Sequence, residues 1–379
     1  MLKTVIKSLC VAVAMSLLFS VGTIKADAVS VSAKGMVLIN ADTLEVLDSK
    51  DEHKKLPMAS TTKLMTALII AENCDLDTEI VTTHEMVAVE GSSMGLLAGD
   101  SVSYYALLVG MMLPSGNDAA NTAAIAYAGS VSSFSEIMNR KAEQLSMNNT
   151  YFVNPSGLPD DEHYSTAYDM ALLAAEVLKN DVLSEIVSKS SMTVSYGNPP
   201  YKRTLTNHNK LLLQNDTVIG LKTGYTKKAG RCLVSAARKN GCTVIAVTLN
   251  DPDDWDDHKK LLTYGLSLLK TKTFGIEESF VPIPVVGSDN DTIQAITPEF
   301  VCGVADDEGK ITYKIYHEPF LYAPLSQGDT VGHVDYYYNG VFLISMPLKV
   351  VESISLRCVE QGAFSKWLTE FFYLFFKCI

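Results

Sequence analysis

Apolar patterning puts strand-like segments at both ends of the first 270 residues and a block of helical segments between them. Residues 35–40 (Gly-Met-Val-Leu-Ile-Asn) and 45–47 read as two strands around an Asn40-Ala41-Asp42-Thr43 turn. Helical spacing follows at 60–72, 103–112, 117–128, 132–146, 166–179 and 181–188. Strand patterns return near 191–196, 217–223, 231–238 and 242–249, and a last helix is expected near 255–270. That order points to one antiparallel sheet with helices packed against it, an α+β fold.

After Lys272 the texture changes to short apolar stretches separated by polar turns, at 280–286, 294–296, 310–316, 330–337 and 341–346. Evenly spaced short strands without helical signal predict a small all-β sandwich. The roughly 350 residues from Val29 onward are ample for two domains, and we expect them at 29–275 and 276–352.

Both ends of the chain carry a targeting pattern. Lys3 and Lys7, an apolar stretch from Leu9 to Phe19 and the small residues of Ala26-Asp27-Ala28 read as a signal peptide over 1–28. The alternative is a buried N-terminal helix. At the other end, Lys366, Glu370, Tyr373 and Lys377 fall within one helical sector of about 60°. Phe364, Trp367, Leu368, Phe371, Phe372, Leu374, Phe375 and Phe376 cover the rest. The run is shorter than the ~20 apolar residues that cross a bilayer. Residues 353–379 are therefore expected to anchor the protein as an amphipathic helix lying in the membrane surface; the alternative is a helix docked on the protein's own core.

The formal charge is −12, and loss of a signal holding three lysines and one aspartate leaves −14. Such an acidic protein is a poor partner for nucleic acid, so no nucleic-acid binding is expected. Any anionic substrate would need a local basic pocket. Cys74, Cys232, Cys242, Cys302, Cys358 and Cys378 are scattered, with no C-x-x-C or zinc spacing. Most should be free thiols; Cys232 and Cys242 are the one pair that could bridge neighbouring strands.

Three short motifs carry chemistry. Ser60 and Lys63 lie at i and i+3, on one face of the helix expected there. A serine hydroxyl needs a base to become a nucleophile, and lysine can serve once burial or nearby positive charge makes it partly neutral. Ser115-Gly116-Asn117 falls between two helical patterns, where a hydroxyl can relay a proton and an amide can hold Lys63 and bond a substrate carbonyl; a plain helix cap is the blander reading. Lys222-Thr223-Gly224 ends a strand. A lysine and a hydroxyl there can bind a carboxylate, and a glycine lets an extended peptide approach the edge. The blander reading is a hairpin corner with a solvated lysine.

The three motifs in this order resemble those of the low-molecular-mass penicillin-binding proteins that act as D-alanyl-D-alanine carboxypeptidases. The likeness extends over Pro57 to Ala67, Gly91-Ser92-Ser93, Leu113 to Ala120, Tyr164 to Ala171 and Gly220 to Thr226. It implies a penicillin-binding/β-lactamase-like transpeptidase domain, the β domain and the anchor. It also implies a serine-type hydrolase outside the cytoplasmic membrane that needs no metal or cofactor. Ser60 would attack the carbonyl between the terminal D-alanines of a peptidoglycan stem peptide, with the oxyanion on the backbone N–H groups of Ser60 and Tyr225. The leaving D-alanine would take its proton through Lys63 or Ser115, and β-lactams would acylate Ser60 and stay.

One departure concerns the substrate carboxylate. Several relatives place an arginine just before the helix that follows the last core strand, whereas here the stretch is Asp251-Pro252-Asp253-Asp254-Trp255-Asp256-Asp257-His258. Arg231 is the candidate to take over, against the reading of a solvated strand charge. Other functions fit less well. A class A β-lactamase would be shorter, carry S-D-N and show an E-x-x-x-N segment, of which only Glu162 lies in a comparable loop region. A D,D-endopeptidase would use the same chemistry on cross-links. A catalytically idle peptidoglycan-binding protein would not need all three motifs intact.

Overall fold

The computed structural model describes residues 29–276, 280–305 and 308–357, together with Trp367, Leu368, Tyr373 and Lys377. The expected signal at 1–28 and most of the expected anchor at 353–379 lie outside the described residues. No helix of the described residues is long and apolar enough to cross a membrane.

In chain order the first region contains β1 (Gly35–Asn40), β2 (Val46–Lys50), α1 (Lys63–Asn73), β3 (Glu79–Val81), α2 (His84–Val87), β4 (Ser101–Ser103) and α3 (Tyr104–Met112). Next come α4 (Asn117–Ala128), α5 (Val131–Gln144), α6 (Ala167–Lys179), α7 (Asp181–Ser188), β5 (Ser191–Gly197) and β6 (Pro200–Thr206). It closes with β7 (Val218–Thr226), β8 (Gly230–Lys239), β9 (Cys242–Leu249) and α8 (Asp254–Leu268). The main sheet has the order β2-β1-β9-β8-β7, antiparallel throughout. Strands from the two ends of the region therefore meet: Gly35 pairs with Leu249 and Asn40 with Val244.

Both faces of this sheet are covered, which explains why β1 and β9 are apolar at nearly every position rather than at alternate ones. Val37, Ile39, Val234, Ile245 and Val247 point into the core shared with the helical block. Their neighbours Met36, Leu38, Leu233, Val244 and Ala246 point the other way, into a core completed by Leu261 and Leu262 of α8.

Local differences from the expected elements have local causes. The helix expected from residue 60 starts at Lys63, because Ala59–Thr62 form a 3-10 turn entered through a left-handed Ala59 at φ 48°. A second, small sheet, β3-β4-β5-β6, was only partly legible. Its β3 and β4 are three residues each, and β6 opens on Pro200 and is mostly exposed, so it lacks an apolar pattern. The last helix stops at Leu268, two residues short, since Leu269 is already extended at ψ 138°.

Beyond it run β10 (Lys270–Phe274), β11 (Val281–Val286), β12 (Thr292–Ile296), β13 (Phe300–Val304), β14 (Ile311–His317), β15 (Leu321–Tyr322), β16 (Thr330–Tyr338) and β17 (Val341–Val350). A six-stranded sheet, β14-β16-β17-β12-β11-β15, and the pair β10-β13 pack around one core that includes Phe274, Ile283, Val304, Val334, Tyr336 and Leu348. β11 shows the sandwich pattern plainly, with Val281, Ile283 and Val285 inward and Pro282, Pro284 and Val286 outward. The two regions meet where buried Asn40 donates through Nδ2 to Gly303 O at 2.8 Å.

Cys74, Cys232, Cys242 and Cys302 are free thiols, so the bridge considered between Cys232 and Cys242 does not form. The two lie at opposite ends of the β8–β9 pairing, Cys232 opposite Leu249 and Cys242 opposite Lys239.

Phe274 is fully buried, stacked on Phe300 at 4.9 Å and edge-on to Tyr338 at 6.2 Å. Phe274→Ala should therefore lower the stability of the second region by about 3–5 kcal/mol, measured by denaturant unfolding. A loss below about 1 kcal/mol would show that this ring is not a keystone of that core.

Candidate active site

The nucleophile turn is built by its own threonines. Thr61 Oγ1 donates to Met58 O at 2.7 Å and Thr62 Oγ1 donates to Ala59 O at 2.8 Å. Two glycines let other chain segments press against it. A Cβ on Gly157 would lie 1.9 Å from Ala59 O, and one on Gly224 would lie 3.0 Å from Ser60 N. Gly224 therefore brings β7, the outermost strand of the sheet, directly against the backbone of Ser60.

Lys63, the first residue of α1, is completely buried. Its Nζ lies 3.0 Å from Ser60 Oγ, 2.6 Å from Asn117 Oδ1 and 2.8 Å from Ser156 O. The last two partners can only accept. A neutral amine would give them its two N–H groups and keep its lone pair for the hydroxyl proton of Ser60. Burial, reinforced by the charge of Lys222 and opposed by Asp118, holds Lys63 well below the usual lysine range.

The acceptors are themselves held. Asn117 opens α4, and its Nδ2 donates to Glu90 O at 2.6 Å, which turns Oδ1 toward Lys63. Its backbone N–H donates to Ser92 O at 2.7 Å. The next residue, Asp118, ties down the same loop: it accepts from Ser93 Oγ at 2.6 Å and from the N–H groups of Met94, Gly95 and Leu96 at 2.9–3.0 Å. Ser115, left-handed at φ 62° and 4% exposed, sits in the loop between α3 and α4 as expected and lines the cleft beside Ser60. Ser156 belongs to a turn closed by Asn154, whose Oδ1 accepts from Gly157 N at 2.8 Å and Leu158 N at 3.1 Å.

Lys222 is also buried, donates to Thr223 O at 3.0 Å, and is pushed down to about 7 by burial. Thr223, Gly224 and the exposed Tyr225 line the same cleft of about 540 Å³ as Ser60 and Ser115. Arg231 lines it too, but not as a free charge. Its Nε and Nη2 donate to Asp254 Oδ1 at 2.9 and 2.6 Å, and its guanidinium lies 5.6 Å from the Trp255 ring centre. The structure thus brings together all nine residues singled out in the sequence, and the solvated-charge reading of Arg231 is set aside.

Several cleft residues escaped the sequence reading. His208 lines it, and burial followed by the charges of Lys222 and Lys63 lowers the His208 pKa; Ser92, which also lines it, entered only through the Gly91-Ser92-Ser93 likeness and was given no role. Asp254 and Trp255 were noted only as part of an acidic run. The Asn154-Pro155-Ser156-Gly157 stretch has no place in the sequence reading, because nothing local shows that its carbonyl reaches Lys63. His163 stands behind the nucleophile turn. Its Nδ1 accepts from Val153 N–H at 2.9 Å, so the ring proton is on Nε2, 2.8 Å from Thr62 Oγ1.

Residues 22–253 match the family model for Peptidase_S11, D-alanyl-D-alanine carboxypeptidase. The chain is 30% identical over 334 residues to the D-alanyl-D-alanine carboxypeptidase DacF of Bacillus subtilis (strain 168), covering 85% of this chain and 86% of that one. It is 33% identical over 359 residues to DacC of Escherichia coli (strain K12), covering 89% and 87%. Penicillin binding protein 5 from Haemophilus influenzae matches in structure with a TM-score of 0.62 at 25% identity, covering 86% of this chain and 98% of that one.

Burial pushes His163 down to about 4, below its ordinary 6.5. The unfolded chain takes up this proton near 6.5 while the folded protein resists until about 4, so stability should fall as pH drops through that window. Replacing His163 with glutamine should flatten this part of the profile, read as Tm against pH. An unchanged slope would show that other groups govern acid sensitivity.

Proposed function

This chain belongs to the D-alanyl-D-alanine carboxypeptidase family, and on that premise we propose that it removes the terminal D-alanine of peptidoglycan stem peptides through an acyl-enzyme on Ser60. The observation that carries this reading is the placement of Lys63 Nζ between Ser60 Oγ and two obligate acceptors.

Neutral Lys63 takes the Ser60 proton as Oγ attacks the penultimate D-alanine carbonyl. The oxyanion lies on the N–H groups of Ser60 and Tyr225, where Gly224 lets β7 come close. The amine of the departing D-alanine receives the proton from Lys63, directly or through Ser115. Water then attacks the ester, Lys63 accepts a proton again, and Ser60 Oγ is released with it. The peptide lies along β7 as an added strand, and the second N–H of the Asn117 amide, the one not given to Glu90 O, bonds a peptide carbonyl. Lys222 and the Thr223 hydroxyl supply the positive and donor character that a carboxylate needs. A β-lactam follows the same first step and remains attached, since its leaving group stays tethered. On this reading 29–275 is the catalytic domain and 276–352 a β domain. The peptide at 1–28 exports the chain, and 353–379 holds it on the outer face of the cytoplasmic membrane. The aromatic pattern of 364–377 and the exposure of Trp367, Leu368 and Tyr373 support that anchor.

Wild-type protein should be labelled covalently by a fluorescent penicillin, and Ser60→Ala should not be. Absence of label on wild type sinks the enzyme reading, while label on Ser60→Ala moves the nucleophile elsewhere. Lys63→Ala should lower the acylation rate by about 10²–10⁴-fold with the fold intact by circular dichroism. Free D-alanine from a stem pentapeptide, set beside products from cross-linked muropeptides, separates carboxypeptidase from endopeptidase.

Lys222 should supply a second pH signature. With its pKa near 7 in the free protein, it is a cation below that pH and neutral above it. The kcat/KM for a free-acid peptide should fall above about pH 7, because that parameter reports the free enzyme. Lys222→Arg, charged throughout, should lose this fall. A wild-type profile flat from pH 7 to 9 would show that Lys222 stays charged.

A further inference from the structure

We propose that Arg203 is a positioning residue for acyl transfer: with the Tyr196 hydroxyl it fixes the 90–96 loop, and through that loop the Asn117 amide that holds Lys63. This rests on the acyl-enzyme reading of Ser60 and adds two residues of the small sheet to its support.

The pairing of β5 with β6 brings three side chains together. Val194 pairs with Arg203, and Tyr196 with Tyr201. Paired residues share a sheet face, and so do alternate residues along a strand. Arg203 therefore lies on the same face as both tyrosines. Its guanidinium is held over both rings, 4.2 Å from each centre. Tyr196 is fully buried, whereas Tyr201 is exposed. Arg203 Nε is buried with no hydrogen-bond partner among the described residues, so the two rings and the contact of Nη1 set the orientation of the fork.

That contact reaches the loop beside the nucleophile. Arg203 Nη1 donates to Gly95 O at 2.9 Å, and the Tyr196 hydroxyl donates to Met94 O at 2.5 Å. Gly95 permits the approach: its φ is +85°, and a Cβ there would lie 3.2 Å from Nη1. The N–H groups of the same two peptide units go elsewhere. Gly95 N and Leu96 N each donate to Asp118 Oδ2 at 3.0 Å. The peptide groups 94–95 and 95–96 are thus each bonded at both ends, N–H to Asp118 of α4 and C=O from the small sheet. In a trans peptide those two groups point in opposite directions. The loop is therefore strung between α4 on one side and β5–β6 on the other.

Upstream, the same loop presents the carbonyls that aim Asn117. Glu90 O accepts from Asn117 Nδ2, and Ser92 O accepts from the Asn117 backbone N–H. Ser92 also lines the cleft. Without the small-sheet side Asp118 pulls alone, and the two carbonyls shift with the loop. Asn117 Oδ1 then loses its place 2.6 Å from Lys63 Nζ. Small displacements of a group that orients a base cost large factors in rate.

The test is the rate of Ser60 acylation by a fluorescent penicillin, measured in the whole protein with Asn117 intact and with Asn117→Ala. Arg203→Met, which keeps bulk but no donor, should acylate about 10-fold more slowly than wild type, the size expected for one hydrogen bond from a charged group. Added to Asn117→Ala, the same change should slow acylation by less than about twofold, because the residue it positions is gone. An arginine that only stabilises the hairpin would lower the rate by the same factor in both backgrounds, and that result overturns the proposal. An unchanged rate in Arg203→Met with Asn117 intact overturns it too. Tyr196→Phe keeps the ring and loses only the bond to Met94 O; it should show the same pattern at about threefold. Should Arg203→Met melt early by circular dichroism, Tyr196→Phe carries the test by the same two criteria. If wild type takes no label, the acyl-enzyme reading itself fails, a result distinct from either of these.

Discussion

The burial of the Lys63 amine is the constraint on which the rest of the site depends. An ammonium group taken wholly out of water is costly, and the protein meets that cost by favouring the neutral form and giving it two fixed acceptors and one hydroxyl. Each acceptor then requires its own support. Asn117 must be oriented by Glu90 O, and the loop carrying Glu90 must be wrapped onto the first turn of α4 by Asp118. Ser156 must be held by the Asn154 turn. The same burial that shapes these loops lowers the Lys63 pKa well below the usual lysine range, so one physical fact organises both the local fold and the chemistry proposed for it.

A second consequence is close packing around the nucleophile. Ser60 sits in a 3-10 turn entered through a strained Ala59, and neither Gly157 nor Gly224 could carry a side chain without driving into that turn. The turn is thereby clamped between the Ser156 loop and the edge strand of a sheet whose central strands are buried on both faces. A base that must reach one hydroxyl at hydrogen-bond distance gains from such a mount, since small displacements cost large factors in rate.

The elements that carry Ser60, Lys63, Ser115, Asn117 and the Lys222-Thr223-Gly224 motif were legible in the sequence for local reasons. Ser60 and Lys63 are three residues apart, Ser115 and Asn117 two, and Lys222 to Gly224 are contiguous. Near-continuous apolar runs marked β1 and β9 as strands. By contrast β6, polar and exposed, is a strand because β5 offers it a partner, not because of its own pattern. His163, Ser156 and His208 act through contacts with residues far away in sequence, so no spacing rule could have selected them. Arg231 was noticed for its place after the Lys222 motif, but its pairing with Asp254 could not be read from the sequence, since twenty-three residues and a whole strand separate the two.

By itself the sequence determined the reaction class, because the chemistry of acyl transfer needs particular side chains at short spacings that survive as motifs. It also determined that one sheet is assembled from distant segments and that a β region follows. Only the tertiary structure decided the state of those side chains. Burial sets Lys63 and Lys222 below their ordinary range, the third contact of Lys63 comes from a loop ninety-three residues on, and an aspartate at the head of α8 turns Arg231 toward the cleft. Those properties arise from desolvation and from distances between groups remote in the chain, neither of which a local pattern encodes.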